Sequence, residues 1–235
     1  MTNILIADDN IDYAINLMNY LNENNDIIRV CNIAKDGKET IDILNNKNNI
    51  DIILLDYKMP IYTASEVLEM IENKEKYIES CIIISGEYES IKMQNNKLVH
   101  SIVFKSISME EIKIKILKLV KDKEDINLTN KIINEILYLG YDISHKGTKY
   151  LIDTIKYICL NANSLDNLEK YVYPKIAIQH QDNICNIKRR INKANTFMYY
   201  NCEISRLKGY FKFDQDTKPK IKTVITMVIN NINKT

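Results

Sequence analysis

Ile52-Ile53-Leu54-Leu55-Asp56-Tyr57-Lys58-Met59-Pro60 is an apolar run of strand length that stops at a carboxylate, with a proline four residues further on. A run with no polar alternation is one that hides both of its faces, as the inner strands of a parallel sheet do. Outward from it, similar runs stand at Ile4 to Ala7 and Ile27 to Cys31 on one side, and at Cys81 to Ile84 and Ser101 to Phe104 on the other. Stretches of helical periodicity fill the gaps. Strands joined by helical crossovers make a parallel sheet, so the first half is predicted to be an α/β domain with five strands. Its last helix should open at Ser108, where Ser108 and Glu111 have capping-box spacing, present Ile112, Ile116, Leu119 and Val120 on one face, and end near Asp122.

Open parallel sheets bind ligands at the carboxyl ends of their strands. Those ends hold Asp8 and Asp9 after the first run, Asp56 after the third, Ser85 after the fourth and Lys105 after the fifth. Three carboxylates gathered together repel one another, and a hard cation such as Mg²⁺ with oxygen ligands relieves this. With a hydroxyl and an ammonium beside it, such a site suits phosphoryl transfer. Lys58 and Glu87, each two positions beyond a site residue, are expected to pair across the mouth of the pocket. Other chemistries are excluded. The five glycines, Gly37, Gly86, Gly140, Gly147 and Gly209, allow neither a Walker A loop nor a G-x-G-x-x-G turn. The five cysteines form no C-x-x-C pair, and His100, His145 and His180 stand apart, so neither a disulfide framework nor a zinc site is expected.

These strand-end residues resemble the receiver domain of bacterial two-component response regulators over Met1 to Asp122, a flavodoxin-like fold. The resemblance implies that Asp56 is the phosphoacceptor, that Ser85 and Lys105 hold the phosphoryl group, and that Mg²⁺ (or Mn²⁺) is bound by Asp8, Asp9, Asp56 and the main-chain carbonyl of Lys58. It implies a sensor kinase or phosphotransfer protein as donor and a homodimer on phosphorylation. Three positions depart from the family: Ser106 follows Lys105 where proline is usual, Ile102 takes the place of the switch aromatic, and Ala64 that of a common glycine. The phosphorylation chemistry is therefore expected, while Ile102 and Ser106 leave open whether the usual hydroxyl-to-aromatic coupling follows it.

The second half differs in charge and in pattern. Residues 1–125 carry 15 Lys and Arg against 22 Asp and Glu, a net of −7, whereas residues 126–235 carry 17 against 9, a net of +8. A polyanionic partner is expected for the basic half. Residues 123–127 read as a polar linker, and residues 128–235 as an all-α domain with Thr129, Ser164 and Asp182 or Asn183 as N-caps. Tyr173 to His180, a turn at 181–183 and a helix from Ile184 form a helix-turn-helix. In the second helix Ile184, Ile187, Ile191, Ala194 and Met198 share one face, and Cys185, Asn186, Arg189, Lys193 and Thr196 the other.

This half resembles the DNA-binding domain of the sporulation stage-zero transcription factors. The match is carried by Leu128-Thr129-Asn130 with Ile133 and Glu135, His145-Lys146-Gly147 with Tyr150-Leu151, Tyr173-Pro174 with Ile176-Ala177, Gly209-Tyr210 and Lys218-Pro219. It implies a double-stranded DNA partner met through Cys185, Asn186, Lys188, Arg189, Arg190 and Lys193, and a transcriptional regulator of sporulation-initiation type rather than an enzyme. Asn186 and Lys188 replace an arginine and a glutamate of the family's recognition run, which implies an altered base preference. The competing reading is a receiver paralogue that serves a phosphorelay or a protein partner, with little specific DNA binding. No stretch reads as a signal peptide or membrane span, so a cytoplasmic chain with no membrane partner is expected.

Overall fold

A computed structural model describes residues 1–23, 25–46, 49–72, 78, 80–212 and 217–234. The chain divides into two compact units, Met1–Asp122 and Lys123–Thr235, each with its own core.

The first unit carries strands β1 (Thr2–Ala7), β2 (Ile28–Ala34), β3 (Ile52–Asp56), β4 (Ser80–Ser85) and β5 (Val99–Phe104), all parallel, in the order β2-β1-β3-β4-β5. Helices α1 (Ile11–Asn22), α2 (Gly37–Asn46) and α3 (Ala64–Glu72) cross between them. Strand alternation sorts the apolar residues into two cores. Ile4, Ile6, Ile52, Leu54, Ile82, Ile84 and Val103 pack with α1 and with Ile112, Ile116, Leu119 and Val120, while Leu5, Ala7, Ile53, Leu55, Cys81 and Ile83 pack with α2 and α3. The central strands β3 and β4 are buried along their whole length, which accounts for their unbroken apolar sequence. Asp8, Asp56 and Lys105 continue the parity of the first set, so the sheet's own alternation aims them to one side of its edge.

Helix α4 (Met109–Tyr138) starts as expected, with the Glu111 backbone N–H donating to Ser108 Oγ at 3.2 Å. It does not end near Asp122, and residues 123–127 are helical rather than a linker. The stretch is polar but holds neither glycine nor proline, and polar residues on a solvated helical face cost little. Thr129 caps nothing; it lies inside α4, and its hydroxyl donates back to the Asp125 carbonyl at 2.7 Å.

The second unit continues with α5 (Lys146–Leu160), a 3₁₀ turn Ala162–Asn167, a π-type turn Leu168–Val172, α6 (Tyr173–Gln179), α7 (Ile184–Asn201), α8 (Ile204–Phe211) and α9 (Ile221–Ile232). Ser164 is not an N-cap either: its hydroxyl donates to the Asn161 carbonyl, and Asn167 caps the next turn by accepting from the Lys170 N–H. Helices α6 and α7 form the helix-turn-helix around a turn in which Gln181, not glycine, takes a left-handed φ of 50°. Asn183 caps α7 by accepting from the Asn186 N–H at 2.8 Å. The buried face of α7 is Ile187, Ile191, Ala194, Asn195 and Met198, whereas Ile184 is exposed. Asn195 was not part of the expected apolar face; its burial is compensated by a hydrogen bond accepted from Tyr141 Oη at 2.7 Å and one donated to the Pro219 carbonyl at 2.8 Å. At the α5–α7 crossing only glycine fits. A Cβ on Gly147 would lie 2.0 Å from the Arg190 carbonyl oxygen.

Candidate functional site

The pocket at the sheet edge is assembled from three strand ends. Asp8 follows β1 and is 1% exposed, Asp56 closes β3 and is 6% exposed, and Lys105 follows β5. Adjacent strands β1 and β3 bring the two carboxylates side by side, and Lys105 Nζ lies 2.8 Å from Asp8 Oδ2 and 2.8 Å from Asp56 Oδ2. Asp8 also accepts the Asn10 backbone N–H at 2.9 Å, so both carboxylates are fixed before any ligand arrives. Exposed Asp9 completes a group of three carboxylates whose ligand atoms lie within 4.8 Å of one another.

Opposing influences act on the charges of the pocket. Burial raises the Asp56 carboxyl above its ordinary range, the hydrogen bond and charge of Lys105 pull it down, the Asp8 charge raises it, and the Lys58 backbone N–H lowers it; the net direction is upward. Burial lowers the Lys105 ammonium, but its bonds to Asp56 and Asp8 outweigh this and hold its proton more tightly than usual. An oxygen-rich trio beside one ammonium has the hard donor set that Mg²⁺ takes.

Ser85 closes β4, and its carbonyl accepts the Lys105 backbone N–H at 2.8 Å. Its hydroxyl is turned to the following loop, accepting from the Glu87 N–H at 2.9 Å and donating to the Glu87 carbonyl at 3.2 Å. Lys58 and Glu87 pair at 2.7 Å, with their side chains 62% and 42% exposed. Sequence reasoning did not single out Tyr13. Its ring lies 5.2 Å from Lys105 Nζ and its buried hydroxyl has no hydrogen-bond partner among the described residues. Its position five residues past Asp8, on the first turn of α1, was the available signal.

The basic face of α7 is knit together differently. Asp182, in the turn, accepts from Asn186 Nδ2 at 2.8 Å and from Tyr150 Oη at 2.8 Å, and lies 3.5 Å from Arg190. The hydrogen bonds from Asn186, Tyr150 and the Asn183 N–H hold the Asp182 carboxyl down to about 2. Arg189 donates to Asn186 Oδ1 at 3.0 Å, and Lys188 pairs with Glu169 at 2.6 Å. Thus Asn186, Arg189 and Arg190 share one network, Lys188 leans to one flank, and Cys185 and Lys193 are exposed. Asp182 as organiser of this network was not foreseen beyond its reading as a cap.

Residues 4–117 match the family model of the response regulator receiver domain, and residues 132–232 match that of the sporulation initiation factor Spo0A C terminal. The chain is similar to the receiver domain of the Francisella response regulator 1452, at 26% identity over 52% of this chain and 99% of that one, with a TM-score of 0.46. It is similar to the Thermotoga maritima response regulator TrrA in complex with Mg²⁺-BeF, at 26% identity over 51% and 99%, with a TM-score of 0.45. A Staphylococcus aureus DNA-binding response regulator of the LuxR family matches at 24% identity over 51% and 99%, with a TM-score of 0.46. An acidic receiver in front of a helical effector defines a response regulator. With this effector the chain belongs to the Spo0A-type response regulators, which act in sporulation initiation as phosphorylation-controlled DNA-binding proteins.

Proposed function

We propose that Asp56 takes the phosphoryl group from a phosphohistidine on a sensor kinase or phosphotransfer protein, and that this controls the reading of double-stranded DNA by α7. The observation that carries the reading is the pair of buried carboxylates, Asp8 and Asp56, bridged by Lys105 at the ends of adjacent strands. Asp8, Asp9, Asp56 and the Lys58 main-chain carbonyl would hold Mg²⁺ (or Mn²⁺), which supplies neutralisation of the phosphoryl oxygens. The chain's own residues do the rest. An Asp56 carboxylate oxygen forms the new bond to phosphorus as the phosphorus–nitrogen bond of the donor breaks and its imidazole leaves with the electron pair. Lys105 stays beside the site as a fixed positive charge, and Ser85 Oγ exchanges the Glu87 carbonyl for a phosphoryl oxygen. The Lys58–Glu87 pair narrows the approach of water and slows loss of the group.

On the effector side, Arg189 and Asn186 read base edges, while Cys185, Lys188, Arg190 and Lys193 border them. A second copy of the phosphorylated chain would supply the other half of a two-fold site. Among the described residues no helix is long and apolar enough to cross a membrane, and a DNA reader of this kind works in the cytoplasm. The test is selection of bound sequences from random DNA with and without a small acyl-phosphate donor. Enrichment of one motif, stronger after phosphorylation, is the expected result; no enrichment in either state would favour the phosphorelay or protein-partner reading.

A further inference from the structure

Beside the reading face of α7 lies a cavity of about 320 Å³, between the start of α5 and the middle of α7. His145, Lys146, Gly147, Arg190, Lys193, Ala194 and Phe197 line it, so it has three cations and no carboxylate. Arg190 is engaged with Asp182 and Tyr150, whereas Lys146 and Lys193 have no carboxylate partner among the described residues. Gly147 and Ala194 leave the wall without bulk at the helix crossing. The rings of His145 and Phe197 meet edge to face, with centroids 4.9 Å apart, and form an aromatic rim in which His145 Nε2 lies 3.6 Å from Asp142 Oδ2.

Two free ammoniums call for an anion, and an aromatic rim beside them suits the apolar face of a sugar. The lining has no amide, hydroxyl or carboxylate side chain to read adenine or cytosine, and its one guanidinium, Arg190, is already held by Asp182 and Tyr150. Lys193 stands one turn beyond Arg189 on the same helix, so an anion held here lies next to the base edges that Arg189 faces. On the opposite flank of α7, Lys188 is tied to Glu169 and Lys218 donates to Thr196 Oγ1 at 2.9 Å. Lys218 and Lys220 on that flank also lack a carboxylate partner among the described residues, but the Glu169 carboxylate stands in the lining there, whereas the α5-side lining holds none.

We infer that this α5–α7 cavity seats a backbone phosphate of the bound duplex and sets the register in which α7 enters the major groove. The inference rests on the DNA-binding reading above. It adds Lys146 and His145, which stand outside the recognition helix, and Phe197, one turn beyond Lys193 on it, to the residues that meet DNA.

The full chain is titrated with a random-sequence duplex pool and with a selected duplex, between about 50 and about 200 mM salt. Lys146→Ala should weaken both equally and lower the salt slope by about one unit, because a phosphate contact carries no base information. Lys146→Arg should restore the slope, and Phe197→Ala should weaken binding with the slope unchanged. A thermal melt of each variant keeps misfolding apart from lost contact. A wild-type slope for Lys146→Ala overturns the seat, as does an equal loss from Lys149→Ala, which would mean diffuse charge. Saturable inorganic phosphate binding abolished by Lys146→Ala, with DNA binding untouched, would make the cavity a small-anion site and also overturn the seat. If the unaltered chain shows no salt-sensitive DNA binding, the DNA reading itself falls; if it binds and only the Lys146 result fails, the seat alone falls.

Discussion

The acidic pocket of the first unit and the basic face of the second are both built from charged side chains, yet they are held in opposite ways. Asp8 and Asp56 are short, buried and fixed by the backbone ladder of adjacent strands, so their geometry follows from the sheet. Arg189 and Lys188 are long side chains on a solvated helix face, and their positions depend on their partners Asn186 and Glu169. A site at strand ends is set by the fold, whereas a site on a helix surface is set by its neighbours.

That contrast breaks most visibly at Asp56. Asp56→Asn should abolish phosphoryl uptake from a small acyl phosphate and Mg²⁺, read as a mass shift on the intact chain; full uptake would remove the pocket from the comparison. On the effector side the expected loss is partial. Arg189→Ala should relax preference at one base pair by about 1 to 3 kcal/mol, while Lys193→Ala should weaken every single-base variant of the site alike. Identical profiles for the two would mean that the α7 face does not divide into readers and grips.

Packing supplies a sharper contrast within the second unit. Gly147→Ala places a methyl group 2.0 Å from the Arg190 carbonyl and should destabilise the helical unit by about 1 to 3 kcal/mol or more. Gly209→Ala, with nothing within 4 Å of its Cβ, should stabilise the same unit by about 0.5 to 1 kcal/mol. Denaturant melts followed on helical signal decide both.

Smaller effects probe the fixed and mobile charges. Dephosphorylation rates of Lys58→Ala, Glu87→Ala and the double variant should be non-additive, because each single change already removes the 2.7 Å pair; additive rates would mean that the pair does not guard the pocket. Asp182, depressed to about 2 in the folded chain from an ordinary value near 3.8, contributes stability that is fully present above the unfolded value and is lost as pH falls through the folded one. The stability difference between wild type and Asp182→Asn should therefore stay constant from pH 7 to about 5 and shrink between about 4 and 2. A difference independent of pH would show that hydrogen bonding alone, and not the charge, organises the turn.

Much of this was legible in the residues. Runs such as Ile52 to Leu55, repeated five times between helical stretches, read as inner strands, and a polar residue after such a run falls at the sheet edge, so Asp8, Asp9, Asp56, Ser85 and Lys105 were found together. The helix-turn-helix was legible from its 3.6-residue period and from Asp182 or Asn183 as its cap, of which the structure uses Asn183. The errors fell where local signals compete with the continuity of a helix. A polar stretch such as residues 121–127 is compatible with linker and helix alike, and Thr129 serves a helix interior as readily as a cap once its hydroxyl returns to the Asp125 carbonyl.

The sequence by itself determined the order of the strands along the chain, the charge contrast between the halves, the residues of the acidic pocket and the existence of a basic helix. Those depend on periodicity and on where an apolar run ends, which are properties of one segment at a time. Only the tertiary structure decided that Lys105 bridges Asp8 and Asp56, that Ser85 is turned toward Glu87, that Asp182 gathers Asn186, Tyr150 and Arg190, and that α5 meets α7 at Gly147 to leave a cationic cavity. Each of these joins residues far apart in the chain through the directions of individual side chains, and such directions are set by packing between elements, which no single segment encodes.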